Sequence, residues 1–260
     1  MILVAGDAAA ADGADDAAAL HDRDSARGGD HVVQRHQSHR TFADRFGKCA
    51  RRTAEGRGGT RLVLGDPKSV DIVLMSHLHP DHTNGIKAAD GSLAFPNAEI
   101  MVPETDWAFW MSDENAAKFE TNAMMKGYFA NVRRVYGNVP ASRVTRYQAG
   151  KEVAPGITAI DTSGHTPGHM AFAVASGNSR VLIQGDVTNI PEFFLRNPGW
   201  HVAFDVDAPK AEATRRKFYD MASAEKALIV GFHFSFPSLG YVEKDGTGYR
   251  LVPVQWNPVL

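Results

Sequence analysis

The sequence predicts an α/β fold in one large domain, and three observations carry that expectation. Short apolar, β-branched runs of strand length recur along the last three quarters of the chain, and most of them lead into a histidine or an aspartate. The stretch from Glu104 to Tyr136 has partly helical character and concentrates Trp107, Phe109, Trp110, Phe119, Met124, Met125, Tyr128 and Phe129. The chain has 260 residues, of which 43% are hydrophobic, enough to bury a sizeable core without a second domain.

The first 64 residues do not follow this pattern. They open on an alanine-rich, acidic stretch (Ala8 to Ala17) and continue as a mixture of Arg, His, Asp and Gly with few paired apolar residues, a composition that does not readily bury a strand face. Residues 1–64 are therefore expected to be an atypical, low-complexity segment, disordered or out of frame with the rest, and residues 65–260 a separate folded unit. His21, His31, His36 and His39 show no compact metal spacing and read as solvated.

From Gly65 onward the elements are easier to justify. Asp66-Pro67-Lys68-Ser69 is a turn, and Asp71 to Met75 is a buried strand that delivers Ser76-His77-Leu78-His79-Pro80-Asp81-His82 at its C-terminal mouth. Side chains alternate along extended backbone, so His77 and His79 can face one ion. Pro80 breaks the extension and frees Asp81 and His82 to turn toward a second position. Ile157 to Ile160 and Met170 to Val174 read as strands joined by the tight loop Thr162-Ser163-Gly164-His165-Thr166-Pro167-Gly168-His169. Arg180 to Gln184 leads into Gly185-Asp186, whose carboxylate has lone pairs enough to bridge two cations. Ala227 to Phe232 leads into His233. A sheet presenting its loops at one edge would gather these side chains into a single site. Imidazole and carboxylate suit zinc, with manganese, iron and cobalt left open.

These residues resemble the metallo-β-lactamase superfamily. Its HxHxDH motif is matched by His77, His79, Asp81 and His82, and His165, Asp186 and His233 follow in the order that superfamily requires. Phe95-Pro96-Asn97-Ala98, the loop from Gly164 to His169, Ser235-Phe236-Pro237 and the ending Gly248 to Val254 look most like the methyl parathion hydrolase branch, related to the N-acyl-homoserine lactonases. The resemblance covers roughly residues 65–260. It implies an αββα sandwich with an atypical or incomplete N-terminal half, because the family's upstream strands and Asp-Thr-Gly turn are not recognisable here. It also implies two divalent metal ions, with zinc expected: one held by His77, His79 and His165, the other by Asp81, His82 and His233, with Asp186 bridging. His169 matches the motif's trailing histidine and is expected to hydrogen-bond a ligand rather than bind metal.

The implied activity is hydrolysis. Two cations sharing a water lower its pKa toward ~7 and polarise the substrate oxygen. Asp81 is the expected catalytic residue, orienting the nucleophile and passing a proton to the leaving group. Trp110, Phe119 and Phe236 are the expected substrate-binding aromatics, which favours small apolar esters, lactones or phosphotriesters. A thioester hydrolase of the glyoxalase II kind would share the ligands but would be expected to need a basic site. A redox di-iron protein would be expected to replace an early histidine by a carboxylate, and a non-enzymatic remnant with an incomplete fold is a further alternative.

Composition bounds the remaining classes. A formal net charge of -2 without a basic stripe gives no footprint for nucleic acid. Cys49 is the only cysteine, so no intramolecular disulfide is possible. Without a membrane-length apolar run or a basic-then-apolar leader, the expectation is a cytoplasmic protein with no membrane partner, subject to an export signal absent from the atypical N-terminus. The expected partner is a small-molecule substrate, and a homodimer is an assembly the reading allows.

Overall fold

The computed structural model describes residues 1–4 and 66–255. Their strands form two sheets. The first has the order β1 (Ile2–Val4), β2 (Ile72–Leu74), β3 (Glu99–Pro103) and β4 (Val144–Tyr147). β1 is antiparallel to β2, while β2, β3 and β4 run parallel. The second sheet runs β11 (Gly248–Pro253), β10 (Leu239–Asp245), β9 (Leu228–Val230), β8 (Ser179–Ile183), β7 (Met170–Ser176), β6 (Ile157–Asp161) and β5 (Glu152–Ala154). Only its β8–β9 pair is parallel.

The period of two along each strand builds the layers. In the first sheet Val73, Ile100 and Val102 turn outward to a core shared with the helices, whereas the alternate residues Leu74 and Met101 turn inward. That inner face meets Val153, Ile157, Ala159, Met170, Phe172 and Val174 of the second sheet. The second sheet's other face, through Ala171, Leu182, Ile229 and Val242, packs against Leu195, Phe218, Tyr219 and Ala222. The result is helix, sheet, sheet, helix, the αββα sandwich expected from the sequence.

The helices follow from local signals. α1 (Pro80–Thr83) begins at a proline, whose fixed φ suits a first turn. α2 (Glu104–Met111) follows Pro103 directly, and α3 (Asp113–Lys118) is capped by Ser112. α4 (Ala123–Tyr136) is capped by Asn122 Oδ1, which accepts from the Met125 N–H, and it buries Met125, Phe129, Val132, Val135 and Tyr136 at helical spacing. α5 (Pro191–Phe194) is a single turn, and α6 (Ala208–Ala224) is capped by Asp207 with proline in its first turn. Among the described residues no helix is long and apolar enough to cross a membrane.

Two features differ from the sequence reading. The composition of residues 1–64 gives no reason to place a strand there, yet Ile2, Leu3 and Val4 pair with Leu74, Val73 and Ile72. β2 thus has a neighbour on each side. The final apolar run also ends as a strand at Val230, two residues earlier than its hydrophobicity suggests, and the turn at Gly231 leaves Phe232 half exposed. The expectations for Cys49, for His21, His31, His36 and His39, and for the rest of residues 5–64 lie outside the described residues.

Candidate metal centre

Every predicted ligand lies in the segment that follows a strand at the same end of the sandwich, Asp81 and His82 within the short helix α1. β2 leads into His77, His79, Asp81 and His82; the β6–β7 loop carries His165 and His169; β8 leads into Asp186 and β9 into His233. The parallel pairing of β8 with β9 places their C-terminal ends side by side, with Ile183 opposite Val230. The two sheets are stitched at the site itself, where the Met170 N–H donates to Ser76 O at 2.9 Å.

The side chains converge as two groups: His77, His79 and His165 in one, and Asp81, His82, Asp186 and His233 in the other, with the ligand atoms of each set all within 4.8 Å of one another. His79 Nδ1 lies 3.0 Å from His165 Nε2. Asp186 sits between the groups: its Oδ1 is 3.1 Å from His82 Nε2, and its Oδ2 is 3.1 Å from His233 Nε2, 3.5 Å from His165 Nε2 and 4.0 Å from His77 Nε2. Asp81 Oδ2 is 3.3 Å from both His82 Nε2 and His233 Nε2.

These residues fit metal ions on two counts. Ligands about 2.1 Å from one tetrahedral ion stand roughly 3.4 Å apart, close to the 3.0 Å of His79–His165 and the 3.1–3.3 Å of His82 and His233 to Asp81 and Asp186. In addition His77 Nε2, His79 Nε2 and His82 Nδ1 are buried without a hydrogen-bond partner, a costly arrangement for a polar atom that nothing else satisfies.

The electrostatics divide the groups. Burial, reinforced by the neighbouring imidazoles, holds His77 and His79 well below the ordinary histidine range, so both are neutral as metal ligation requires. Burial also opposes the charge of His82, but hydrogen bonds to Asp186 and Asp81 outweigh it and raise its pKa. The same carboxylates push His233 up to about 10. Burial would raise Asp81 and Asp186, yet their histidine partners hold both well below the usual carboxylate range. The amino group of Met1 is also buried nearby; desolvation lowers it to about 6 against the opposing charges of Asp186 and Asp81.

Supporting residues fix the ring orientations. His165 Nδ1 donates to Asp205 Oδ1 at 2.7 Å, which turns Nε2 toward the centre. His169 is fully buried, and burial lowers it to about 3. Its neutral Nε2 accepts the Asp186 N–H at 2.9 Å, while Nδ1 faces Thr162 Oγ1 at 2.8 Å, so it holds the backbone of Asp186. Gly185 makes this approach possible: its φ is +58°, and an added Cβ would stand 2.8 Å from His169 Nε2. Asp106, wholly buried in the first turn of α2, accepts from Leu78 N–H at 3.0 Å and Gly168 N–H at 2.7 Å, binding the two histidine loops to one carboxylate. Burial raises its pKa against the pull of those hydrogen bonds.

The aromatic residues separate. Trp110 is fully buried, its ring centroid 5.6 Å from that of His79, so it packs behind a ligand and does not form an open pocket wall. Phe119 packs on Phe109 and Phe129 in the helix-side core, and no ring contact joins it to the histidines. Phe236 is 72% exposed in the loop beyond His233. The rings that do flank the ligands are Tyr128, 4.8 Å from His79, Phe232, 4.2 Å from His82, and Phe204, 5.8 Å from His165. Asp106, Asp205, Phe204 and Phe232 were not singled out from the sequence. Asp106 reads there as an ordinary acidic residue in a helix's first turn, and Phe232 as the end of a strand; Asp205 carries no local signal.

These two groups, one of histidines and one of histidines and aspartates, at one end of an αββα sandwich are consistent with a dinuclear metal site. Residues 52–233 match the model of the metallo-beta-lactamase superfamily, and the chain belongs to that superfamily. The match starts upstream of Gly65, where the resemblance in the sequence begins. Over 125 residues the chain is 29% identical to the N-acyl homoserine lactonase AttM of Agrobacterium fabrum, covering 45% of this chain and 41% of AttM. The chain spans about half the length of the curated relatives it matches. Among solved structures, hydrolase AbOPH of the beta lactamase superfamily superposes with a TM-score of 0.70 at 30% identity, covering 74% of this chain and 67% of that one. AidC, a dizinc quorum-quenching lactonase, shares the fold with a TM-score of 0.64 at 23% identity, covering 74% of this chain and 66% of AidC.

Proposed function

We propose that this chain is a metal-dependent hydrolase that takes two divalent cations, zinc foremost, and cleaves small apolar esters, lactones or phosphotriesters. The observation that carries this reading is Asp186, whose two oxygens face His82 on one side and His165 and His233 on the other. His77, His79 and His165 would hold one cation, and Asp81, His82 and His233 the other. Bound there, the cations would lower the pKa of a shared water toward ~7 and polarise a carbonyl or phosphoryl oxygen.

The protein's own groups do the rest. Asp205 and His169 keep His165 and Asp186 aimed at the centre, so little reorganisation is needed when substrate arrives. Asp81, whose side chain is half exposed, is the carboxylate placed to accept a proton at Oδ2 and release it to a leaving group. Phe232, Tyr128 and Phe204 present apolar surface beside the ligands, which suits an acyl or aryl substituent. The likeness to the N-acyl homoserine lactonase AttM supports a lactone substrate, and that to hydrolase AbOPH supports hydrolysis.

The test is metal quantification on protein purified without chelator, followed by assay of that sample against a lactone, an aryl ester and a phosphotriester. Two bound metals and turnover of at least one substrate are expected, with both lost in Asp186→Ala and His165→Ala. Full metal occupancy with undiminished turnover in either variant overturns the assignment.

A further inference from the structure

α6 lies across both loops that carry His165 and Asp186. On the His165 side the Thr214 hydroxyl donates to Ser163 O at 2.7 Å, and the Val206 and Asp207 N–H groups just ahead of the helix donate to His165 O and Gly164 O, each at 3.0 Å. Gly164 permits so close an approach, since an added Cβ would stand 2.4 Å from Ala211 N. On the Asp186 side the Tyr219 hydroxyl donates to Gln184 Oε1, and Gln184 Nε2 donates to Thr188 O at 2.9 Å.

Arg215 stands between these two sets of contacts and reaches both loops. The residue is buried, and its Nε donates to Val187 O, beside Asp186, at 3.0 Å. Its Nη1 donates to Pro198 O at 2.7 Å and to Trp200 O at 3.0 Å. Its Nη2 faces Asp205 Oδ2 at 3.8 Å, an ion pair longer than a hydrogen bond. The other oxygen of that carboxylate takes the His165 Nδ1–H at 2.7 Å. Three carbonyls thus fix where the planar guanidinium sits, and its remaining edge is aimed at Asp205. Burial works against the charge of Arg215, and Asp205 is the strongest influence in its favour. The Asp205 side chain is 1% exposed, and no other Lys or Arg is paired with it among the described residues. Two buried charges so placed depend on each other, because removing one leaves the other uncompensated.

We propose that Arg215 is a positioning residue for the metal centre: anchored on the carbonyls of Val187, Pro198 and Trp200, it holds the Asp205 carboxylate that aims His165 and so sets that histidine against Asp186. The inference rests on the reading of His165 and Asp186 as metal ligands. His165 and Asp186 belong to different groups of the centre, yet His165 Nε2 and Asp186 Oδ2 are 3.5 Å apart. A single side chain that touches the supports of both therefore governs how the two groups stand to each other, and a ligand held more loosely binds its ion more weakly.

The experiment is zinc competition against a chromophoric chelator on the full-length protein: wild type, Arg215→Gln, Arg215→Lys, Asp205→Asn, and each Arg215 replacement combined with Asp205→Asn. Thermal unfolding of each zinc-free variant shows which of them fold. Arg215→Gln is expected to weaken zinc binding about 10–100-fold. Arg215→Lys keeps a cation for Asp205 without the planar fork, and its loss is expected to be at least about threefold smaller. In the Asp205→Asn background either replacement is expected to cost no more than about threefold, because the carboxylate through which Arg215 acts is gone. If Arg215→Gln alone does not fold, Arg215→Lys carries the same comparison, since it leaves no buried carboxylate without a cation. A role confined to stapling the loop at Pro198 and Trp200 gives equal losses with and without Asp205, and that result overturns the proposal, as does unchanged zinc affinity in Arg215→Gln or Arg215→Lys no better than Arg215→Gln. Wild-type protein that binds no zinc overturns the metal reading itself, and the proposal with it.

Discussion

Gly185→Ala tests whether the bridging aspartate is held from behind by His169. The residue has φ +58°, and a Cβ there would meet His169 Nε2 at 2.8 Å and Ser76 Cβ at 3.2 Å. Gly177, in the β7–β8 turn, has nearly the same φ, +57°, and nothing within 4 Å of an added Cβ. The pair therefore separates backbone strain from contact. Left-handed backbone costs a non-glycine residue roughly 1–2 kcal/mol, so Gly177→Ala is expected to lose about that much stability and nothing else. Gly185→Ala carries the same strain plus an overpacking cost of about 1–3 kcal/mol, because both neighbours are buried and His169 has no free direction in which to move. Displacing His169 also releases the Asp186 N–H, and loss of such an outer hydrogen bond typically costs about 10–100-fold in metal affinity. Thermal unfolding of both variants, together with zinc competition against a chromophoric chelator, gives the two readouts. Equal destabilisation of both variants with unchanged zinc affinity in Gly185→Ala would refute the reasoning.

The pH dependence of the chelator-stripped protein follows from opposite shifts. His169 titrates at about 3 in the fold and near 6.5 unfolded, so the unfolded chain takes up a proton first as pH falls; stability is full above pH 6.5 and is lost toward pH 3. One such group gives a slope of about 1.4 kcal/mol per pH unit, and the lowered His77 and His79 steepen it. His233, raised to about 10, acts on the other side: its contribution is complete below pH 6.5 and is lost as pH rises through 10. Denaturant midpoints that stay flat between pH 6.5 and pH 4.5 would contradict the acid branch. Asp205→Asn is expected to weaken zinc binding about 10–100-fold while leaving the fold in place, because His165 loses the carboxylate that fixes its tautomer. Unaltered zinc affinity in that variant would show that Asp205 does not orient the ligand.

The candidate ligands stood out in the sequence because metal chemistry restricts residue type and local spacing together. His77, His79, Asp81 and His82 follow one strand within six residues, and His165, Asp186 and His233 each sit just past an apolar run. The alternation of Val73 with Leu74 and of Ile100 with Met101 likewise encodes which face of the sheet meets helices and which meets the other sheet. Less could be read of the aromatic surroundings. Trp110, Phe119 and Tyr128 look alike as a cluster in sequence, but only the rotation of α2 and α4 and the turn at the end of α3 decide that Tyr128 lies beside His79, Trp110 packs behind it and Phe119 stays in the core.

The sequence by itself determined the layered α/β architecture and singled out the histidines and aspartates that the fold gathers at one end, since both rest on residue type and on periods of two or 3.6 along the chain. Tertiary structure alone decided what holds the ligands. Asp205 reaches His165 across 40 residues, and Asp106 reaches Leu78 and Gly168 across 28 and 62. The pairing of Ile2–Val4 with β2 is equally invisible in one dimension. A hydrogen bond between distant segments leaves no local pattern, because its partners need only the right chemistry and a shared place in the fold.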